Sequence, residues 1–171
     1  MTLVVADTGP IHYLALIDAM GMLPQLYDRV LIPSAVRDEL VHPNSPVAVK
    51  KWMATLPKWC EIRKAAVTEG RLGLGPGEAE ALALAERVKA DLVLLDDRAA
   101  RAEALRRGLL VTGTIGVLLD AAEHGYVDLQ ESLDRLLRTS FYIDADLLSE
   151  ILSRGAERRR HTPEQRDESE P

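Results

Sequence analysis

The sequence has a single cysteine, Cys60, among its 171 residues. No internal disulfide can form, and no thiolate cluster can hold zinc or an iron–sulfur centre. Aromatic residues are scarce at 4%, with one Phe, so Leu, Val, Ile and Ala must fill the core. No apolar run approaches the roughly 20 residues that a bilayer-spanning helix needs. The opening Met-Thr-Leu-Val-Val-Ala-Asp lacks the basic start and cleavage site of a signal peptide. A soluble, cytoplasmic protein is the expectation. Positive charge is in deficit, with 21 Lys and Arg against 27 Asp and Glu and a formal net charge of −6. That argues against a protein whose whole surface grips nucleic acid by charge. It leaves open a site that is itself built from carboxylates, so the position of the acids matters.

Several catalytic signatures are also missing. His12, His42, His124 and His161 are scattered with no His-x-x-x-His pair, which disfavours zinc. There is no Gly-x-Ser-x-Gly nucleophile elbow and no Gly-Lys-Ser/Thr phosphate loop. Gly73, Gly75 and Gly77 do not fit a dinucleotide loop, because Glu78 stands where the last glycine belongs. An aspartyl-phosphate phosphatase would need a second Asp where Gly9 stands. A receiver domain would need a lysine after a late strand, and none follows Lys89.

What is present is an alternation of short apolar runs and helical patterns. Leu3–Ala6, Val30–Ile32, Leu92–Leu95 and Leu109–Val111 read as buried strands, with Trp59–Ala65 as a further edge strand. Helices are expected over Ile11–Met22, Ala35–Leu40 (capped by Ser34), Val47–Leu56, Glu78–Lys89, Ala99–Arg107, Ile115–His124, Val127–Leu137 and Asp144–Ser153. Gly70–Gly77 reads as a loop. With 47% hydrophobic and 28% charged residues, the chain suits one domain over 1–155, its final helices at 127–153 packed on it. The charged stretch 156–171 reads as a disordered tail. The expected fold is α/β, a three-layer α/β/α arrangement around a mainly parallel sheet of four to five strands.

In such sheets ligands sit beyond the carboxyl ends of the strands. That rule selects Asp7-Thr8-Gly9, Asp96-Asp97 and Thr112-Gly113-Thr114. Adjacent residues on a strand point opposite ways, so only one of Asp96 and Asp97 faces a given cleft. Asp97, which starts the loop, is the first candidate and Asp96 the second. Glu78 and Glu80 open a helix that is otherwise nearly all apolar. The helix dipole is the bland explanation for both, and a helix cap is the bland explanation for Asp7 and Asp97. Glu39, on a short helix, gains weight only beside the others. Gathering carboxylates costs energy through like-charge repulsion, which a divalent cation offsets. Mg²⁺ and Mn²⁺ prefer such oxygen ligands, and one or two ions are compatible with the count.

With these residues in hand, the chain resembles the PIN-domain superfamily, including its VapC-like ribonuclease toxins and an uncharacterised PIN-like nucleic-acid-binding branch. The resemblance lies in Val-Val-Ala-Asp-Thr-Gly-Pro (4–10), Leu-Ile-Pro-Ser-Ala-Val-Arg-Asp-Glu-Leu (31–40), Gly-Glu-Ala-Glu-Ala (77–81), Leu-Leu-Asp-Asp-Arg (94–98) and Val-Thr-Gly-Thr-Ile-Gly-Val-Leu (111–118). It covers roughly residues 1–120. Carried over residue by residue, it implies Asp7, Glu39, Glu80 and Asp97 as catalytic metal ligands. Glu78 and Asp96 are alternates or supporting groups, and Thr8 and Thr114 would orient water or phosphate by hydrogen bonds. The chain departs from many toxin-type members in having the Glu78/Glu80 pair where they have a lone Asp. The resemblance implies a Mg²⁺- or Mn²⁺-dependent endoribonuclease acting on single-stranded RNA. It also implies a toxin neutralised by an antitoxin protein, and a homodimer. Arg98 and Arg101 are candidates for substrate contact, against the plainer reading of a solvated helix face. Trp52 and Trp59 are expected in the core. The competing readings are a non-catalytic nucleic-acid-binding or regulatory module and a small-molecule phosphohydrolase.

Overall fold

Along the first strand, alternate side chains go to opposite faces. Val4 and Ala6 join one apolar cluster and Val5 another, so the strand must be covered on both sides. The structure is a computed structural model that describes residues 1–68 and 73–161, the last four by backbone alone. Its sheet is built from β1 (Leu3–Ala6), β2 (Arg29–Pro33), β3 (Cys60–Arg63), β4 (Leu92–Leu94) and β5 (Val111–Thr112). All are parallel, in the order β3-β2-β1-β4-β5. The register sets Val4 beside Val30 and Val5 beside Val93.

The helices are α1 (Thr8–Leu16), α2 (Leu23–Leu26), α3 (Ser34–Leu40), α4 (Val47–Ala54), α5 (Pro76–Val88), α6 (Arg98–Arg106), α7 (Thr114–Glu123), α8 (Leu129–Leu137) and α9 (Ala145–His161). On one face Val4, Ala6, Val30 and Ile32 meet Ile11 and Leu14 of α1, Val49 of α4 and Val117 and Leu118 of α7. On the other, Val5, Leu31, Val93 and Leu95 meet Leu82 and Leu84 of α5 and Ala100 and Ala104 of α6. These side chains are fully buried. Each large one contributes about 1.5–3 kcal/mol relative to exposure, which makes this double packing the main stabilising term. The result is the three-layer α/β/α architecture expected from the sequence. Trp52 and Trp59 pack against the first cluster with ring centroids 6.0 Å apart. Among the described residues no helix is long and apolar enough to cross a membrane.

Most boundaries differ from the sequence reading by a residue or two, and α2 was not expected; four differences stand out. Helix α1 begins at Thr8 rather than Ile11, with Gly9 and Pro10 inside its first turn. A proline there sacrifices no intrahelical hydrogen bond, since those N–H groups have no partner anyway. The same helix stops at Leu16, and Asp18 turns the chain at φ 57 before a short 3-10 segment at Met20–Met22. Strand β5 sits later than 109–111, leaving Leu110 exposed. Helix α9 runs on to His161, past Ser153 and past the expected start of the tail at 156. Residues 162–171, and 69–72 of the glycine-rich loop, lie outside the described residues.

Candidate functional site

The chain order reverses between β1 and β4: from β1 it passes outward to β2, and from β4 outward to β5. The carboxyl ends of β1 and β4 therefore flank the crevice where ligands bind in parallel sheets. Asp7 stands at the first of these ends, and its backbone N–H donates to the Leu94 carbonyl at 3.0 Å. It occupies the N-cap position of α1, yet its side chain caps nothing. The residue is 6% exposed, and its Oδ1 is buried without a hydrogen-bond partner among the described residues. Burial pushes its pKa up from 3.8 to about 7. The Thr8 backbone N–H beside it opposes that rise, and the nearby charges of Glu78, Glu39 and Asp96 add to it.

The other carboxylates reach this neighbourhood from different elements. Asp96, just past β4, accepts hydrogen bonds from the Thr114 N–H and from the Thr114 hydroxyl, each at 2.7 Å. That ties the end of β4 to the start of α7. Glu39, near the end of α3, accepts from the Thr8 hydroxyl and from the Gly77 N–H at 3.1 Å. Glu78, in the first turn of α5, accepts from the Gly75 N–H at 2.9 Å and closes a cap on its own helix. Thr8 and Thr114 thus hold two of the acids.

Two acids that the resemblance implies as metal ligands, Glu80 and Asp97, are engaged by backbone N–H groups in this structure. Glu80 is buried, but its oxygens accept from the Ala35 N–H at 2.6 Å and the Ala65 N–H at 2.8 Å. It is a structural clamp that caps α3, a task the sequence had suggested for Ser34. Pro33 occupies that N-cap position instead. Asp97 accepts from the Ala100 N–H at 2.9 Å and caps α6. Their immediate alternates, Glu78 and Asp96, are the acids whose charge acts on Asp7. Of the arginine candidates, Arg98 is exposed at the first residue of α6. Arg101 is half-buried and donates from Nη1 to the Leu95 carbonyl at 3.3 Å.

Three glycines, Gly9, Gly77 and Gly113, make room for the acids. A Cβ on Gly9 would lie 2.9 Å from Asp96 Oδ2, one on Gly113 2.7 Å from Asp96 Oδ1, and one on Gly77 2.7 Å from Glu39 Oε1. A signal was visible: glycines adjoin the acids or threonines in Asp-Thr-Gly (7–9) and Thr-Gly-Thr (112–114), which follow or end strands, and in Pro-Gly-Glu (76–78), which opens α5.

As they stand, no three His, Cys, Asp or Glu side chains among the described residues are grouped to hold a metal ion. Asp96, Glu39 and Glu78 each accept hydrogen bonds from neighbouring N–H or hydroxyl groups. The donor set still fits a hard divalent cation. It is all oxygen, it surrounds an acid whose Oδ1 is unsatisfied, and glycines clear the space beside it.

A search of curated proteins gives no match. Among solved structures, a PilT N-terminus domain protein, SSO1118, from the hyperthermophilic archaeon Sulfolobus solfataricus P2 has a similar fold. The TM-score is 0.50 at 14% identity, over 84% of this chain and 100% of that one. The DUF3368 family model, a PIN domain, matches residues 3–157. That span runs from β1 into α9 and contains all four acids of the cluster. By this match the chain belongs to the PIN-domain family, a nuclease-type fold.

Proposed function

We propose that this protein is a metal-dependent nuclease that hydrolyses phosphodiester bonds in single-stranded RNA. Asp7, Asp96, Glu39 and Glu78 would hold Mg²⁺ or Mn²⁺. The observation that supports this most is Asp7 itself, a buried acid with an unsatisfied oxygen amid three other carboxylates at the strand switch point. Such crowding raises the energy of the ionised site, and a cation reverses the sign of that effect. When bound, the metal supplies an activated water and charge stabilisation for the phosphodiester. The chain's own groups set the geometry. Asp7 releases its proton as the site fills, Thr114 aims Asp96, and Thr8 aims Glu39. RNA as substrate, a toxin role and an antitoxin partner rest on the family resemblance.

The test separates the acids that meet from those that do not. Asp7→Asn and Asp96→Asn should each lower Mn²⁺-dependent cleavage of single-stranded RNA by roughly a hundredfold or more, with circular dichroism unchanged. Asp97→Asn, which alters only a helix cap, should leave cleavage within a few fold. Undiminished cleavage in both Asp7→Asn and Asp96→Asn would overturn the proposal. A protein that takes up Mn²⁺ but cuts no RNA, DNA or phosphate monoester is a binding module instead.

A further inference from the structure

Five arginines are half-buried among the described residues: Arg29, Arg37, Arg63, Arg101 and Arg107. Four of them are ion-paired. Arg29 and Arg63 meet Glu61, Arg37 meets Asp38, and Arg107 meets Glu103 and Glu86. Arg101 forms no ion pair with any described residue, and its one hydrogen bond, to the Leu95 carbonyl at 3.3 Å, is long. A guanidinium offers five donors and keeps its charge at any physiological pH. Partial burial removes some of its water, so an unmatched guanidinium is costly unless an anion arrives.

Gly113 shows how close the guanidinium lies to the acids. A Cβ there would lie 2.8 Å from Arg101 Nη1 and 2.7 Å from Asp96 Oδ1. The guanidinium thus borders the carboxylate cluster without pairing with it, because Asp96 is turned toward Thr114. A phosphodiester approaching four carboxylates meets repulsion that the cation only partly cancels. A fixed positive fork at the rim supplies the balance, and its planar geometry matches two phosphate oxygens.

We infer that Arg101 positions the substrate by gripping a backbone phosphate beside Asp96, while exposed Arg98 on the same helix does not share this task. The inference rests on the nuclease reading of the site. It assigns Arg101 to the strand's phosphate rather than to the metal.

The experiment measures anisotropy of a labelled single-stranded RNA oligonucleotide with the full chain across a salt series, with Ca²⁺ replacing Mn²⁺ to suppress turnover. Mn²⁺ uptake is followed separately by calorimetry. Arg101→Gln should weaken RNA binding roughly tenfold or more. It should also flatten the slope of log affinity against log salt by about 0.7, the loss of one phosphate contact on a single strand. Arg101→Lys should keep the slope while losing part of the affinity, which a purely structural role would not produce. Arg98→Gln should change neither quantity by more than about twofold, and all three variants should take up Mn²⁺ as the parent does. Unaltered affinity and slope in Arg101→Gln would overturn the inference. So would a parent protein that takes up Mn²⁺ but binds no RNA, a result that leaves the metal site standing. A parent that binds RNA but takes up no Mn²⁺ would sink the metal-dependent reading, and the salt slopes would still decide the role of Arg101.

Discussion

The carboxyl group of Asp7 has lost most of its water and gained acidic neighbours, and its pKa of about 7 follows from both. Without metal, the folded protein keeps a proton there that the unfolded chain releases near 3.8. Stability from this group is therefore full below about pH 4 and is lost as pH rises through about 7. In EDTA, the melting temperature of the parent should fall relative to that of Asp7→Asn between pH 5 and pH 8. Thermal denaturation of the two proteins side by side measures this. A gap that widens in the parent's favour with rising pH would contradict the burial argument. The sequence made Asp7 readable as a rigid acid at a strand end. It could not reveal the unsatisfied oxygen, since that depends on what α3, α5 and β4 bring near it.

Helices α3 and α5 hold each other through carboxylates at their ends. Glu80 of α5 accepts from Ala35 at the start of α3, and Glu39 near the end of α3 accepts from Gly77 at the start of α5. The two contacts fix one terminus of each helix at the site. A Cβ on Gly77 would meet the oxygens of Glu39 at 2.7 and 2.9 Å, the far end of a flexible side chain. Gly77→Ala should displace Glu39 while leaving the fold intact. The expected result is Mn²⁺ affinity lowered roughly tenfold, with the melting temperature little changed; calorimetry and thermal melts check both. A drop in melting temperature with unchanged affinity would show instead that Gly77 matters only for packing. Most element types were legible because apolar runs and helical spacing differ in period. The start of α1 was not. Thr8, Gly9 and Pro10 read as a turn by composition, and only docking on the sheet makes them the first turn of a helix.

At the scale of the whole molecule, a bound cation would couple distant parts of the chain, because its ligands come from β1, α3, α5 and the end of β4. Anything that binds only the folded state raises its stability, by about 2.7 kcal/mol at a hundredfold excess over Kd. For a domain of this size that corresponds to a rise in melting temperature of roughly 5–10 °C. Saturating Mn²⁺ should give such a shift in the parent and little in Asp7→Asn or Asp96→Asn, as read by differential scanning fluorimetry. Equal shifts in all three would place the ion elsewhere. The sequence by itself determined the α/β class, the burial of the strands on both faces, and the short list of acids. Those depend on local period and composition, which are written along the chain. Only the tertiary structure brought the charges of Asp96 and Glu78 to bear on Asp7 and gave Asp97 a helix cap and Glu80 two buried backbone N–H groups. Asp96 and Asp97 follow β4, where the chain turns into α6, and residues two apart on a helix such as Glu78 and Glu80 lie about 200° apart, so the members of each pair serve different neighbours. Which is which depends on the order β3-β2-β1-β4-β5 and on where α3, α5 and α7 come to rest, and these are set by long-range packing.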